Sequence, residues 1–160
     1  MLVYVFGHEL THALWTLAFG GKVKSFKVSH RGGSVRITRT NFLISLAPYF
    51  FPLYAAIIVG VFFILRQFHW AKDWLPWFYL LIGAAFSFHL TFSWHLLRQK
   101  QSDLAREGYF FSFVVVWLGN IWMILLGLAV IYEDIRVLDA VNRSWAETIR
   151  LIRFLQNLII

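Results

Sequence analysis

Apolar residues run along this chain in long uninterrupted blocks and lack the alternation of a half-buried strand. Four blocks, residues 2–19, 42–65, 74–97 and 109–132, contain between them a single charged residue, Glu9. Each approaches or exceeds the roughly 20 apolar residues needed to cross a bilayer, so the pattern predicts about four transmembrane helices. After the first block, Gly20-Gly21 is a helix stop. Residues 23–28 and 34–38 then read as two short strands around His30-Arg31-Gly32-Gly33, with the glycine pair supplying the turn. This predicts a small β-hairpin at the membrane surface, although a solvated basic loop on anionic headgroups has the same composition. Pro48 and Pro52 predict a bent second span. Asp73 is placed to cap the third, Pro76 suits its first turn, and Trp70, Trp74 and Trp77 mark an interface. Ser102 is placed to cap a helix that runs through Asp103 into the fourth span. Past residue 134, Trp145, Ile149, Ile152, Leu155 and Ile159 keep helical spacing while Arg143, Glu147, Arg150 and Arg153 lie largely elsewhere. That pattern predicts an amphipathic surface helix, and a partner-binding helix would share it. The expected organisation is thus an all-α membrane protein with one transmembrane domain, residues 1–132, and a C-terminal amphipathic helix, residues 133–160.

Composition sharpens the membrane reading. The chain is 59% hydrophobic and 14% charged, against about 45–50% apolar and 25% charged for soluble domains, and a soluble fold of 160 residues could not bury that excess. The net charge of +7 would suit nucleic acid, but its distribution fits a bilayer better. Lys22, Lys24, Lys27, Arg31, Arg36 and Arg39 follow the first block with no acid among them, Arg98, Lys100 and Arg106 follow the third, and only Arg66 and Lys72 follow the second. Cytoplasmic loops carry the excess of Lys and Arg, so the basic loops 20–40 and 98–108 are expected in the cytoplasm and Met1 on the other side. The expected partners are therefore membrane lipid and a transmembrane protein substrate, with no nucleic acid. The first block lacks a basic leader and carries Glu9 and two histidines where a signal peptide has an apolar region, so it is expected to stay as a helix. The chain has no cysteine, so any metal must be held by His, Asp, Glu or water.

The chemistry concentrates in the first block. His8-Glu9-Leu10-Thr11-His12 matches H-E-x-x-H, in which histidines four positions apart share one helical face and ligate one zinc ion. Zinc brings the pKa of a bound water to about 7, and Glu9 is placed to act as general base without becoming a ligand. A carboxylate inside a membrane helix costs about 2.5–3.5 kcal/mol on insertion scales, and such groups mark function. Catalytic zinc sites use three protein ligands plus water. The candidates for the third are Asp103, His89, Glu107 and His95. His12 lies eight residues before Gly20, about 12 Å from the helix end. His89 lies at nearly that depth, whereas Asp103 must dip inward at a re-entrant start to the fourth helix. Interhelical hydrogen bonding is the alternative role for His89 and His95.

Gly7-His8-Glu9-Leu10-Thr11-His12-Ala13, followed by Phe19-Gly20-Gly21-Lys22-Val23 and Gly32-Gly33, resembles the site-2 protease family of intramembrane zinc metalloproteases, in particular its small, minimal members. The resemblance covers residues 1–40. It implies a zinc-dependent endopeptidase that cleaves membrane-embedded substrates, a hairpin after the motif helix, and a later Asp that completes the metal site. Gln101-Ser102-Asp103-Leu104 corresponds to the family's Asp motif, with Leu104 where the family has Gly, so Asp103 is the implied ligand. The family also carries an Asn that orients substrate or stabilises the oxyanion, and Asn41 lies in the comparable region. Capping the second span is the alternative for Asn41. From a different functional class, the same residues suit a catalytically silent metal-binding or regulatory membrane protein. Metal transport fits less well, because His8, His12, His89 and His95 do not reach across the full thickness of a bilayer.

Overall fold

The structure is a computed structural model that describes residues 1–30, 32–68 and 73–131 together with residues 146 and 150. Helix α1, Leu2–Ala18, is turned inside out relative to a helix of a soluble protein. It buries Tyr4, Glu9, Thr11, His12 and Thr16 and turns Val3, Phe6, Leu14 and Leu17 outward. Such an arrangement is stable where the surroundings are hydrocarbon and the polar groups find partners inside. Thr11 and Thr16 meet that need locally, donating from Oγ1 to the carbonyls of Gly7 (2.7 Å) and His12 (2.8 Å). The helix stops as Gly20-Gly21 predicts. Gly20 adopts φ 71°, its N–H bonds the Leu17 carbonyl, and the N–H of Gly21 bonds that of Thr16, which is the Schellman closure.

Strands β1, Val23–Ser29, and β2, Gly32–Ile37, form the antiparallel hairpin, with Ser29 opposite Gly32 and Phe26 opposite Val35. Its turn differs from the expectation. Gly32 and Gly33 lie inside β2, paired with Ser29 and Val28 of β1. Gly33 is required for close approach: a Cβ there would stand 2.5 Å from Glu9 Cγ and 2.9 Å from Val5 Cγ1. The hairpin therefore folds back along α1, with its tip beside Val5 and Glu9 and the Phe26 ring edge-on to Phe6 at 5.8 Å. It does not stand off the end of the helix.

The second apolar block is two helices, α2 (Phe42–Phe50) and α3 (Leu53–Leu65), bent by 76°. Two prolines cause the break. Pro48 lies within α2 and Pro52 precedes α3, and neither has an N–H to continue the ladder. Helix α4, Leu75–Leu97, and helix α6, Tyr109–Ile131, are each 23 residues long, about 35 Å at 1.5 Å per residue. These two are long and apolar enough to cross a membrane, and the bent α2–α3 pair passes as a third crossing if it counts as one span. Helix α1, with 17 residues, is about 26 Å long and stands just below that length. Between α4 and α6 lies the short helix α5, Ser102–Glu107, ending at Gly108 with φ 90°.

By its internal contacts the chain divides at residue 120. In the first unit, α2 is the centre: Leu46, Ala47, Tyr49 and Phe50 pack with Leu104 of α5 and Val116 of α6. Gly119 permits this contact, since a Cβ there would fall 2.7 Å from the Phe50 side chain. The second unit begins with the last residues of α6, where Trp122, Ile124, Leu125 and Leu126 are exposed. Apart from Ala146 and Arg150, the expected amphipathic segment 133–160 lies outside the described residues, as do Trp70 and Lys72.

Candidate metal centre

The spacing of His8 and His12 brings their imidazoles to one face of α1, with the two Nε2 atoms 3.3 Å apart. Asp103, on α5, completes a triangle: its Oδ2 stands 3.6 Å from His8 Nε2 and 3.5 Å from His12 Nε2. Ligand atoms about 2.0–2.1 Å from a tetrahedral ion stand about 3.3–3.4 Å from one another, so the triangle has nearly the dimensions of one face of such a site. The three residues can hold a divalent metal ion, and they form the group of metal-ligating side chains found among the described residues.

Tautomer and orientation agree with that use. His12 Nδ1 donates to the Ile44 carbonyl at 2.8 Å, which leaves the Nε2 lone pair of the neutral ring facing the triangle. That carbonyl is available because of the sequence four residues on. Position 48 is proline, so α2 supplies no N–H for the Ile44 oxygen, and a buried carbonyl without a donor is costly. Asn41 caps the same turn, its Oδ1 accepting from the Ile44 N–H at 2.8 Å. Asp103 is held from the other side by the Tyr49 hydroxyl, which donates to Oδ2 at 3.2 Å. Burial alone would push the Asp103 carboxyl up, but the His12 and His8 imidazoles beside it outweigh that and hold the group well below the usual carboxylate range.

Glu9 points into the same cleft of about 330 Å³ that the triangle lines, together with Gly33, Ser34, Val35 and Ile37 of β2 and Arg106 of α5. It is 9% exposed and accepts a hydrogen bond from the backbone of Val35. The hairpin thus both covers and orients this carboxylate.

The other candidates lie elsewhere. Glu107 Oε1 accepts from Ser45 Oγ at 2.9 Å. His89 is buried on α4 beside Asn120 of α6, and its Nε2 lacks a hydrogen bond of good geometry. His95 is exposed and pairs with Gln99 at 2.8 Å. Asn41 serves as the cap of α2. Leu104, in place of glycine after Asp103, is 2% exposed and anchors α5 in the core, which fixes the Asp103 backbone by packing. Sequence reasoning missed the contributions of Ile44, Tyr49 and Gly33. A signal existed for the first, in the proline four residues after Ile44. No family model, curated protein or solved structure matches the chain.

Proposed function

We propose that the chain is a zinc-dependent intramembrane endopeptidase of the site-2 protease type, acting on transmembrane protein substrates. The observation that carries this reading is the convergence of His8 Nε2, His12 Nε2 and Asp103 Oδ2 on the wall of a cleft that also holds the Glu9 carboxylate. Two imidazoles and a carboxylate are an established catalytic zinc set. A zinc ion held there supplies Lewis acidity toward the scissile carbonyl and makes a bound water acidic near neutral pH. Glu9 takes the proton of the attacking water on its carboxylate and delivers it to the amide nitrogen as the C–N bond breaks. The backbone of Val35 and the bare Cα of Gly33 keep that carboxylate directed into the cleft.

A helical substrate hides its carbonyls in its own ladder and has to unwind to react. Among the described residues, strand β2 has a partner on one edge only, and its residues Gly33 to Val35 line the cleft. An extended substrate segment adds there by strand pairing. In this reading the chain crosses the bilayer four times, through α1, the bent α2–α3 pair, α4 and α6. The base of the hairpin, with Lys22 and Arg39, and the basic loop 98–108 then face the cytoplasm, while the hairpin tip dips beside α1. Two crossings between the hairpin and α5 return the chain to the hairpin side, in keeping with the meeting of Asp103 and α1.

The test is Glu9→Gln in the purified full chain, assayed on a reconstituted transmembrane substrate. Metal content is expected to stay unchanged while cleavage falls by about 10²–10⁴-fold. Cleavage unchanged by this substitution would remove Glu9 as the general base, and cleavage undetectable in the wild type with its ion bound would leave a metal-binding membrane protein without turnover.

A further inference from the structure

Tyr49 has a structural role that packing alone does not explain. Its side chain is 0% exposed, in a cluster otherwise made of hydrocarbon: Leu46, Ala47, Phe50, Leu104 and Val116. A phenylalanine would fill the same space without a hydroxyl to desolvate, and a buried hydroxyl without a partner is destabilising. The partner it finds belongs to a residue 54 positions away, the ligand oxygen Oδ2 of Asp103. That oxygen is also the one turned toward both imidazoles.

Asp103 needs such a contact. It stands on a helix of six residues, too short to be rigid by itself, and that helix is tied down by the Leu104 side chain and by Ser112 Oγ donating to the Leu104 carbonyl at 3.3 Å. Both ties act on the residue after Asp103 and leave the Asp103 side-chain torsions open. Tyr49 is fixed where Asp103 is not. Its ring stands edge-on to His8 at 5.3 Å, and its carbonyl, released by the break before α3, accepts from Asn120 Nδ2 at 3.0 Å. Helix α2 therefore hydrogen-bonds two of the three candidate ligands, His12 through the Ile44 carbonyl and Asp103 through the Tyr49 hydroxyl, and packs the Tyr49 ring against the third, His8.

We propose that Tyr49 is a positioning residue of the metal centre, its hydroxyl fixing Asp103 Oδ2 toward the two imidazoles and so setting the affinity and coordination geometry of the bound divalent ion. The proposal rests on the metal reading of His8, His12 and Asp103 but not on turnover. Partners of metal ligands that act in this way typically change affinity by about 10–100-fold when removed.

The experiment uses the full chain in detergent, titrated with Co²⁺ and with Zn²⁺ in competition with a chelating dye. Wild type, Tyr49→Phe, Asp103→Ala and the double variant are compared, with the visible Co²⁺ spectrum recorded for each. Tyr49→Phe is expected to keep its helical circular dichroism, to bind Co²⁺ and Zn²⁺ about 10–100-fold more weakly, and to shift the Co²⁺ bands. In the Asp103→Ala background, the same substitution is expected to change affinity by less than about 2-fold, because coupled residues are not additive. Equal affinity and spectrum in Tyr49→Phe would overturn the proposal, as would an undiminished effect once Asp103 is gone. Loss of the fold in Tyr49→Phe would also overturn it, since the hydroxyl would then serve packing. A wild-type chain that binds neither ion removes the metal reading itself, an outcome distinct from a wild type that binds and a Tyr49→Phe variant that binds equally well.

Discussion

Helices α1 and α6 both come from long apolar blocks of the sequence, and the structure uses them in opposite ways. Helix α1 gathers Tyr4, Glu9, Thr11, His12 and Thr16 on its buried side; Glu9 finds its partner in the hairpin, His12 in α2, Thr11 and Thr16 in the helix's own backbone, and Tyr4 in the His8 ring. Helix α6 buries only Ser112 and Val116 among its residues and leaves Phe110, Phe113, Trp117 and Leu118 open. Placing an ionisable side chain among apolar ones is expensive, and the helix that does it repeatedly is the one that carries the candidate metal site. The other has the character of a wall facing lipid. The difference teaches that hydropathy locates membrane helices, while the pairing of the few polar residues separates working helices from scaffolding.

The comparison breaks most directly on the outer face of α6. Leu118→Lys is expected to cost about 2.5–3.5 kcal/mol of membrane insertion, read as loss of the integrated protein from the membrane fraction, and normal integration would mean that this face meets water. A smaller effect is expected where α1 meets the hairpin. Gly33→Ala puts a Cβ 2.5 Å from Glu9 Cγ, and overpacking of this kind costs about 1–3 kcal/mol. Thermal unfolding should register that loss, and cleavage should fall because the Glu9 carboxylate is displaced; a stable and fully active variant would contradict the described hairpin position. Pro48→Ala sharpens the comparison further by restoring an N–H that competes with His12 for the Ile44 carbonyl. Zinc affinity is expected to fall about 10-fold, the lower end for such partners, in a competition titration. The smallest effect belongs to Leu118→Ala, expected to alter stability by no more than about 0.5 kcal/mol and zinc affinity not at all.

Much of this was legible in the sequence, for physical reasons that also mark where legibility ends. His8, Glu9 and His12 are local: a helix fixes their mutual placement once it is known to be a helix. Gly20-Gly21 and the proline pair are local signals too, and they produced the helix stop and the bend. Asp103 required the resemblance to a family, since nothing within 20 residues of it on the chain points to α1. The role of Gly33 was misread because a glycine pair suits a turn as well as it suits close approach, and only the position of Glu9 beneath it decides between them. Tyr49 was invisible for a similar reason. In a run such as Leu46-Ala47-Pro48-Tyr49-Phe50, a phenol reads as one more apolar residue until its hydroxyl is seen to meet a carboxylate from another helix. The first apolar block, residues 2–19, and helix α1 differ by one residue, since the Schellman closure at Gly20-Gly21 ends the helix at Ala18.

The central claim is that the two imidazoles of α1 and the carboxylate of α5 hold one divalent ion. Elemental analysis of the purified full chain, beside a His8→Ala, His12→Ala double variant prepared identically, tests it most directly. The account predicts about one zinc per chain in the wild type, by the usual stoichiometry of a three-ligand site, and essentially none in the double variant. Equal metal content in the two proteins, or none in the wild type after zinc is supplied, would contradict it.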